Sequence, residues 1–360
     1  MRQPEGTGLA WIGAYCAAHA LVDASCAALV FSASAAGRLP ASAALAAVVT
    51  YNLLAFALQP VLGWFVNDVS SARNWARAGA LATALAFVVS QLPGGIWPAI
   101  VLAGVGNAVF HLGGGVIALR AEPGRAAIPG LYVAPGAAGL AAGVWMGANQ
   151  YFAWLPALLL LLVVPLLRRV TGPAQRAAVR SDLPVASILA VAGLLVVVVA
   201  MRAFVGAGIA MPWRADPWLL VGLTAAVVAG KAAGGVLADR FGRATVGVGA
   251  VVLSAPLLVV APGVAAAGIA GMFLFNMTMP VTLVAIADVM PERPGFAFGL
   301  TCLALIAGAL PVMLRLTGTI TPVPAALWVL GSAALLWGGL TWAQQGRIDE
   351  AGLRPRPEEV

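Results

Sequence analysis

Charge is what this sequence has least of. Thirteen acidic and twenty basic residues among 360 amount to 9%, against roughly 25% in an average soluble domain, which excludes a chain whose main solvent is water. Lysine occurs once, as Lys231, and histidine twice, as His19 and His111. Cys16, Cys26 and Cys302 all fall in apolar segments, where a thiol behaves as a small apolar group, so no disulfide framework follows. No G-x-x-x-x-G-K-[ST] loop is present, which leaves a gradient as the energy source for any work done. No H-E-x-x-H segment, paired intramembrane acids or nucleophile beside a base is present either, which argues against an enzyme; no cofactor is expected.

Hydrophobic residues make up 62% of the chain. Broken at proline, glycine and arginine clusters, the apolar runs predict spans at 9–31, 41–66, 76–92, 96–118, 126–148 and 151–168. A second set follows at 185–210, 217–238, 244–262, 264–288, 296–315 and 323–343. The Ala18-His19-Ala20 sequence is read as part of a retained first span, since the preceding segment carries Glu5 and little basic charge. The net charge of +7 does not gather on one polar face, which excludes a nucleic-acid surface. With both termini cytoplasmic, fifteen arginines face the cytoplasm and only Arg38 and Arg214 face outward, as the positive-inside rule requires. The expectation is an all-α, multi-pass membrane protein of about twelve spans. Abundant alanine and glycine, with arginine preferred to lysine, point to a prokaryotic plasma (inner) membrane.

The two sets of spans are related. Residues 63–68 align with 235–240 at an offset of 172, and 107–131 align with 276–300 at an offset of 169, pairing Asn107 with Asn276 and Gly130 with Gly299. A duplicated six-span unit follows: residues 1–170 and 185–345, joined by a cytoplasmic linker at 171–184 and ending in a tail at 346–360. The segment Gly235-Val-Leu-Ala-Asp239-Arg240-Phe-Gly242-Arg243 resembles the G-x-x-x-D-R-x-G-R loop of the major facilitator superfamily. That resemblance implies two six-helix bundles and a cytoplasmic gate. Gly235 would permit close helix approach, Asp239 would cap a neighbouring helix and Gly242 would make the turn. The first copy departs from the pattern, with Asn67 and Asp68 in place of the acid and arginine, so the gating contacts should be unequal. In span five, Gly130, Ala134, Pro135 and Gly139 are similar to a motif of proton-coupled antiporters, with Ala134 and Ala138 replacing two of its glycines. As a packing face, the same stretch extends through Gly143 and Gly147.

Ionisable groups at membrane depth are costly, so each is a candidate for function. Tyr15, His19 and Asp23 lie at i, i+4, i+8 in span one, and His19 and Asp23 can share a proton. Asn107 and His111 lie one turn apart in span four. His-x-x-x-Asp together with Asn-Ala-Val-Phe-His is similar to the fosmidomycin-resistance branch of the superfamily, proton-driven drug exporters, although Leu112 stands where that branch commonly has proline. Asn52, Gln59, Arg202, Lys231 and Asn276 complete the substrate-contact candidates, with an ion pair between Lys231 and Asp23 as one arrangement. Pro280, near Asn276, predicts a kink in span ten.

The expected function is secondary active transport of a small polar or anionic solute or drug by alternating access, with His19 and Asp23 coupling it to protons, in the direction of export. Its partners would be that solute, protons and the lipid bilayer, with the protein acting as a monomer. Two alternatives stay open: a divalent-metal or other ion-coupled carrier drawing on Tyr15, Cys16, His19, Asp23 and His111, and a non-transporting receptor or assembly factor on the same scaffold.

Overall fold

The computed structural model describes residues 10–169 and 183–353, with side chains described through residue 344. Described residues form helices and connecting turns; one isolated bridge joins Ile209 to Ile320. Twelve helical crossings follow in order. The first six are α1 (Ala10–Ala35), α2 with α3 (Ala41–Asn52, Gln59–Gly63), α4 (Val69–Val89), α5 (Ile96–Ala121), α6 (Ala127–Ala148) and α7 (Leu155–Arg169). The last six are α8 (Val185–Gly208), α9 (Pro217–Phe241), α10 (Arg243–Val260), α11 with α12 (Ala265–Asn276, Thr278–Val289), α13 (Pro294–Met313) and α14 (Pro322–Leu353). In hydrocarbon every backbone amide needs an internal partner, which is why such apolar runs become helices. Ten of the crossings are long and apolar enough to span a membrane; the others are α4, which opens on polar turns, and α7, with 15 residues.

Most boundaries fall where proline, glycine and arginine put them, and the exceptions have local causes. The third crossing begins at Val69 rather than 76 because Asp68 caps it, accepting from the Ser71 amide at 2.8 Å and the Ser71 hydroxyl at 2.7 Å. Those bonds, the amide first, hold the Asp68 carboxyl below the usual carboxylate range. The second crossing contains a π turn over Leu53–Ala57, unforeseen in the sequence, where the Leu58 amide reaches back to the Leu53 carbonyl. Pro60 lacks the amide that would bond the Phe56 carbonyl, so the regular ladder cannot continue there. The tenth crossing breaks at Met277, between Asn276 and Thr278, beside the anticipated Pro280. The last helix runs to Leu353, past the anticipated end at 343 and into the expected tail. Residues 171–182 of the expected linker and 354–360 of the tail lie outside the described residues.

Large apolar side chains cover the outside, including Leu162, Leu189, Val221 and Trp218, a surface suited to lipid and not to water. Inside, small residues bring helices together. Gly139, Gly143 and Gly147 of α6, one turn apart, lie against Ala20, Ala24 and Ala28 of α1; a methyl group on them would stand 2.0, 2.3 and 2.7 Å from those three carbonyl oxygens. At the end of the molecule holding the 63–68 and 235–243 segments, hereafter the motif end, one apolar core is shared by residues of the first and last six crossings, Val66 and Ala238 among them. Toward the opposite end the core divides into two clusters, one around Leu29 and Tyr51, the other around Val205 and Leu258. The helices therefore meet at one end and part at the other.

Candidate functional site

Between the parting helices lies a cavity of about 310 Å³ beside the middle of α1, with walls from both sets of crossings: His19, Asp23, Asn52 and His111 on one side, Lys231 and Cys302 on the other. Much of the remaining lining is apolar, including Phe56, Val133, Leu140, Met279, Phe298 and Ile306. A second chamber of about 210 Å³ contains Arg202 and Asn276, and shares Lys231 and Met279 with the first.

One cluster dominates the first chamber. Helix α1 places His19 and Asp23 one turn apart, and His111 reaches them from α5, bringing its Nε2 to 2.8 Å from His19 Nε2. The Asp23 carboxylate lies across both rings, at 3.4 Å from His19 Nε2 and 3.6 Å from His111 Nε2. Backbone carbonyls hold each ring from behind: His19 Nδ1 is 2.6 Å from the Tyr132 oxygen and His111 Nδ1 is 2.9 Å from the Asn107 oxygen. Asn107 donates from Nδ2 to Asp23 at 2.9 Å and to the Tyr51 hydroxyl at 3.1 Å. Gly136 of α6 faces the cluster with no side chain; a methyl group there would come within 2.4 Å of His19 Nε2 and 2.6 Å of an Asp23 oxygen.

His19, Asp23 and His111 thus come together from three positions anticipated in the sequence, while other candidates do not join them. Tyr15 and Gln59 are buried away from both chambers: Tyr15 packs edge-on against Trp11, and Gln59 donates to the Ala55 carbonyl at 2.7 Å. Neither lines either of these chambers in this conformation. Asn107 acts on Asp23 instead of lining the cavity. No ion pair joins Lys231 to Asp23 among the described residues, although both border the first chamber. Arg202 is committed to the break in the tenth crossing. It donates to the Phe275 carbonyl, which also accepts from the Thr278 hydroxyl at 3.0 Å, and lies 4.8 Å over the Phe275 ring. Asn276 donates to the Met272 carbonyl and Asn52 to the Val48 carbonyl, both at 2.8 Å, and each still borders a chamber. Three groups escaped the sequence reading. Tyr51 stands beside Asn52, Cys26 lies three residues past Asp23, and Tyr132 contributes through its backbone. A turn-by-turn extension of the Asp23 stripe would have reached Cys26, but nothing local marks a carbonyl such as that of Tyr132.

At the motif end, the Asp239 carboxylate of α9 accepts hydrogen bonds from the Ala126 and Ala127 amides at 2.7 and 2.9 Å, which begin α6, with Arg125 at 3.4 Å. Gly235 lies against the Ala126 carbonyl, where a methyl group would approach to 2.2 Å, and Gly242 turns the chain at φ +91°. Arg243 pairs with Asp288 at 2.5 Å and donates to the Gly124 carbonyl, whereas Arg240 lies over the neighbouring Phe241 ring. The related junction is built differently. Gly63 meets Gly295 as Gly235 meets Ala126, yet Asn67 caps nothing: its amide donates to Trp64, while its carbonyl accepts from Arg120 at 3.1 Å. Arg293 closes that side, stacked 4.4 Å over Trp64. In the antiporter-like stretch, Gly130 approaches α9 at the Lys231 carbonyl, Ala134 is buried, Pro135 sits inside α6 and Gly139 packs on α1.

Neither a protein-family model nor a curated protein sequence matches the chain. Solved structures do. A variant of the fucose:proton symporter FucP of E. coli superposes with a TM-score of 0.64 at 12% identity, covering 93% of this chain and 98% of that one. FucP described as a major facilitator superfamily transporter in the outward conformation gives a TM-score of 0.66 at 13% identity, with the same coverage. With twelve helical crossings and near-complete coverage of both chains, this protein has the fold of the major facilitator transporters.

Proposed function

We propose that this protein is a proton-coupled secondary transporter that moves a small organic anion, or a polar drug of that size, across a prokaryotic plasma membrane by alternating access between its first and last six helices. The observation that carries this reading is the chamber walled by His19, Asp23 and His111 on one side and by Lys231 on the other. Proton-binding groups and a cation border one cavity, so occupancy by an anion and by a proton can influence each other at close range. The apolar remainder of the wall suits a substrate that carries an apolar body behind its charged group.

With the motif end taken as cytoplasmic, the joined core and the Asp239 cap close that side, and the divided core describes an outward-facing state. Export is supported by the similarity of the α6 stretch to antiporters. The divalent-metal reading is less well supported, although the ligand atoms of His19, Asp23 and His111 lie within 4.8 Å of one another. Two imidazole nitrogens on one tetrahedral zinc at about 2.0–2.1 Å stand about 3.3 Å apart, whereas these are separated by 2.8 Å, a hydrogen-bond distance.

Reconstitution into proteoliposomes with an imposed pH gradient tests the reading. Solute movement coupled to proton flux is expected for amphipathic anions, and Asp23→Asn should abolish the coupling while the protein still assembles. The proposal fails if the purified protein moves neither protons nor any of a panel of anions and drugs, or if Asp23→Asn leaves pH-driven transport intact.

A further inference from the structure

The Nε2 atoms of the two histidines in the cluster lie within hydrogen-bond distance of each other, at 2.8 Å. Histidine tautomers follow from hydrogen-bond partners, and here the partners leave little choice. His19 Nδ1 faces the Tyr132 carbonyl at 2.6 Å and His111 Nδ1 faces the Asn107 carbonyl at 2.9 Å. A carbonyl oxygen only accepts, so both Nδ1 atoms carry hydrogen. In neutral rings of that tautomer neither Nε2 carries hydrogen, yet the two atoms lie only 2.8 Å apart, in rings crossed at 86° with centroids 4.4 Å apart. Two lone pairs at that distance repel, and one hydrogen between them makes a normal, charge-assisted bond.

Building on the proton-coupled reading above, we propose that the transported proton resides between His19 Nε2 and His111 Nε2, with Asp23 as its counter-ion and not its carrier. Loading adds one proton from cavity water to one Nε2, whose lone pair forms the new bond, while the other Nε2 accepts. Release returns that proton to cavity water and leaves both lone pairs free. The charge is then balanced within the cluster: one imidazolium against one carboxylate, the latter fixed by Asn107. The other titratable or charged groups nearby are Cys26 from α1, Tyr51 from α2, Tyr132 from α6, Lys231 from α9 and Cys302 from α13. Of these Lys231 is the sole base; its positive charge on the far wall opposes loading, and an anion placed against it would relieve that opposition. The shared proton also ties α1 to α5, so its loss lets the rings separate and frees Asp23 toward the chamber. The roles of Asn107 and Tyr132 are positional: their carbonyls fix the tautomer that makes sharing obligatory.

Because the sequence holds only two histidines, labelling them with nitrogen-15 in the full chain, purified by a tag free of histidine, yields a spectrum of four ring nitrogens. The expected result is hydrogen on both Nδ1 atoms throughout, with the two Nε2 atoms sharing one hydrogen that is lost in a single step as pH rises. In His111→Gln, the remaining His19 Nε2 should lack hydrogen at a pH where the intact pair holds its proton. A hydrogen-free Nδ1 on either ring, independent titration of the two rings, or an unchanged His19 in the variant would overturn the proposal. The spectrum is read without transport: a shared proton in a protein that moves nothing would leave this inference standing and end the transport reading, and the converse result would do the reverse.

Discussion

Asp239 and Ala126 lie far apart in sequence, yet the Asp239 carboxylate accepts a 2.7 Å hydrogen bond from the Ala126 amide, so a residue of α9 caps α6. Its second oxygen takes the Ala127 amide at 2.9 Å. A carboxylate at a helix N-terminus satisfies free amides and meets the positive end of the helix dipole. Asp239→Ala should therefore weaken closure of the motif end by about 1–2 kcal/mol, roughly a five- to thirtyfold change in the closed-to-open ratio. Asp239→Asn, which keeps an acceptor but no charge, should fall between. Spin labels at Glu122 and Phe241, with distances compared among the three proteins, would read the shift; an unchanged distribution in Asp239→Ala would remove the cap from the gate.

The other junction should matter less. Arg293 lies over Trp64 and donates to its carbonyl at 3.3 Å, but both side chains are open to solvent. A cation–aromatic contact at an exposed site contributes about 0.5–1 kcal/mol. Trp64→Leu should consequently shift the same equilibrium by no more than about fivefold, less than Asp239→Ala. A larger shift would mean that closure depends chiefly on this stack.

This inequality shows how far the residues could be read in advance. Asp239, Gly235 and Gly242 act through their own chemistry, as an acceptor, a missing side chain and a tolerance for positive φ, so their contacts were legible from the motif alone. His19 and Asp23 were legible as a stripe because a helix fixes which residues share a face. That His111 completes the pair was not, since only the packing of α1 on α5 decides which stripes meet. Tyr15 and Gln59 continue such stripes equally well but turn into protein. Arg202, expected as a substrate cation, borders the second chamber and also donates to the Phe275 carbonyl beside a helix break that Pro280 anticipates but does not locate. Periodicity assigns faces, and tertiary packing assigns partners.

The α1–α6 contact predicts a sharp contrast among glycines. A side chain at Gly139 would meet the Ala20 backbone at 2.0 Å, and backbone cannot step aside, whereas nothing lies within 4 Å of a methyl group at Gly249. Overpacking of this kind costs about 1–3 kcal/mol for small groups and more for larger ones. Gly139→Val should lower the melting temperature in detergent or prevent recovery of monodisperse protein, with Gly249→Val indistinguishable from the unmodified chain. Equal stability of the two variants would show that α6 does not pack on α1 in this register.

Lys231 provides the test that separates substrate contact from scaffold. It borders both chambers and has no ion-pair or hydrogen-bond partner among the described residues, so the fold gains nothing evident from its charge, and a half-buried cation without a partner adds nothing to folding that an apolar side chain of similar length would not. A bound anion would supply the missing partner, and a hydrogen bond to a charged group is worth about 1.5–3 kcal/mol. Lys231→Met keeps most of the apolar stem and removes the ammonium. Affinity for an anionic substrate should then fall about ten- to hundredfold, measured as KM in proteoliposomes, while thermal stability holds or rises. A structural lysine would behave the opposite way, losing stability with no change in KM, and that outcome would assign the anion to some other part of the chamber.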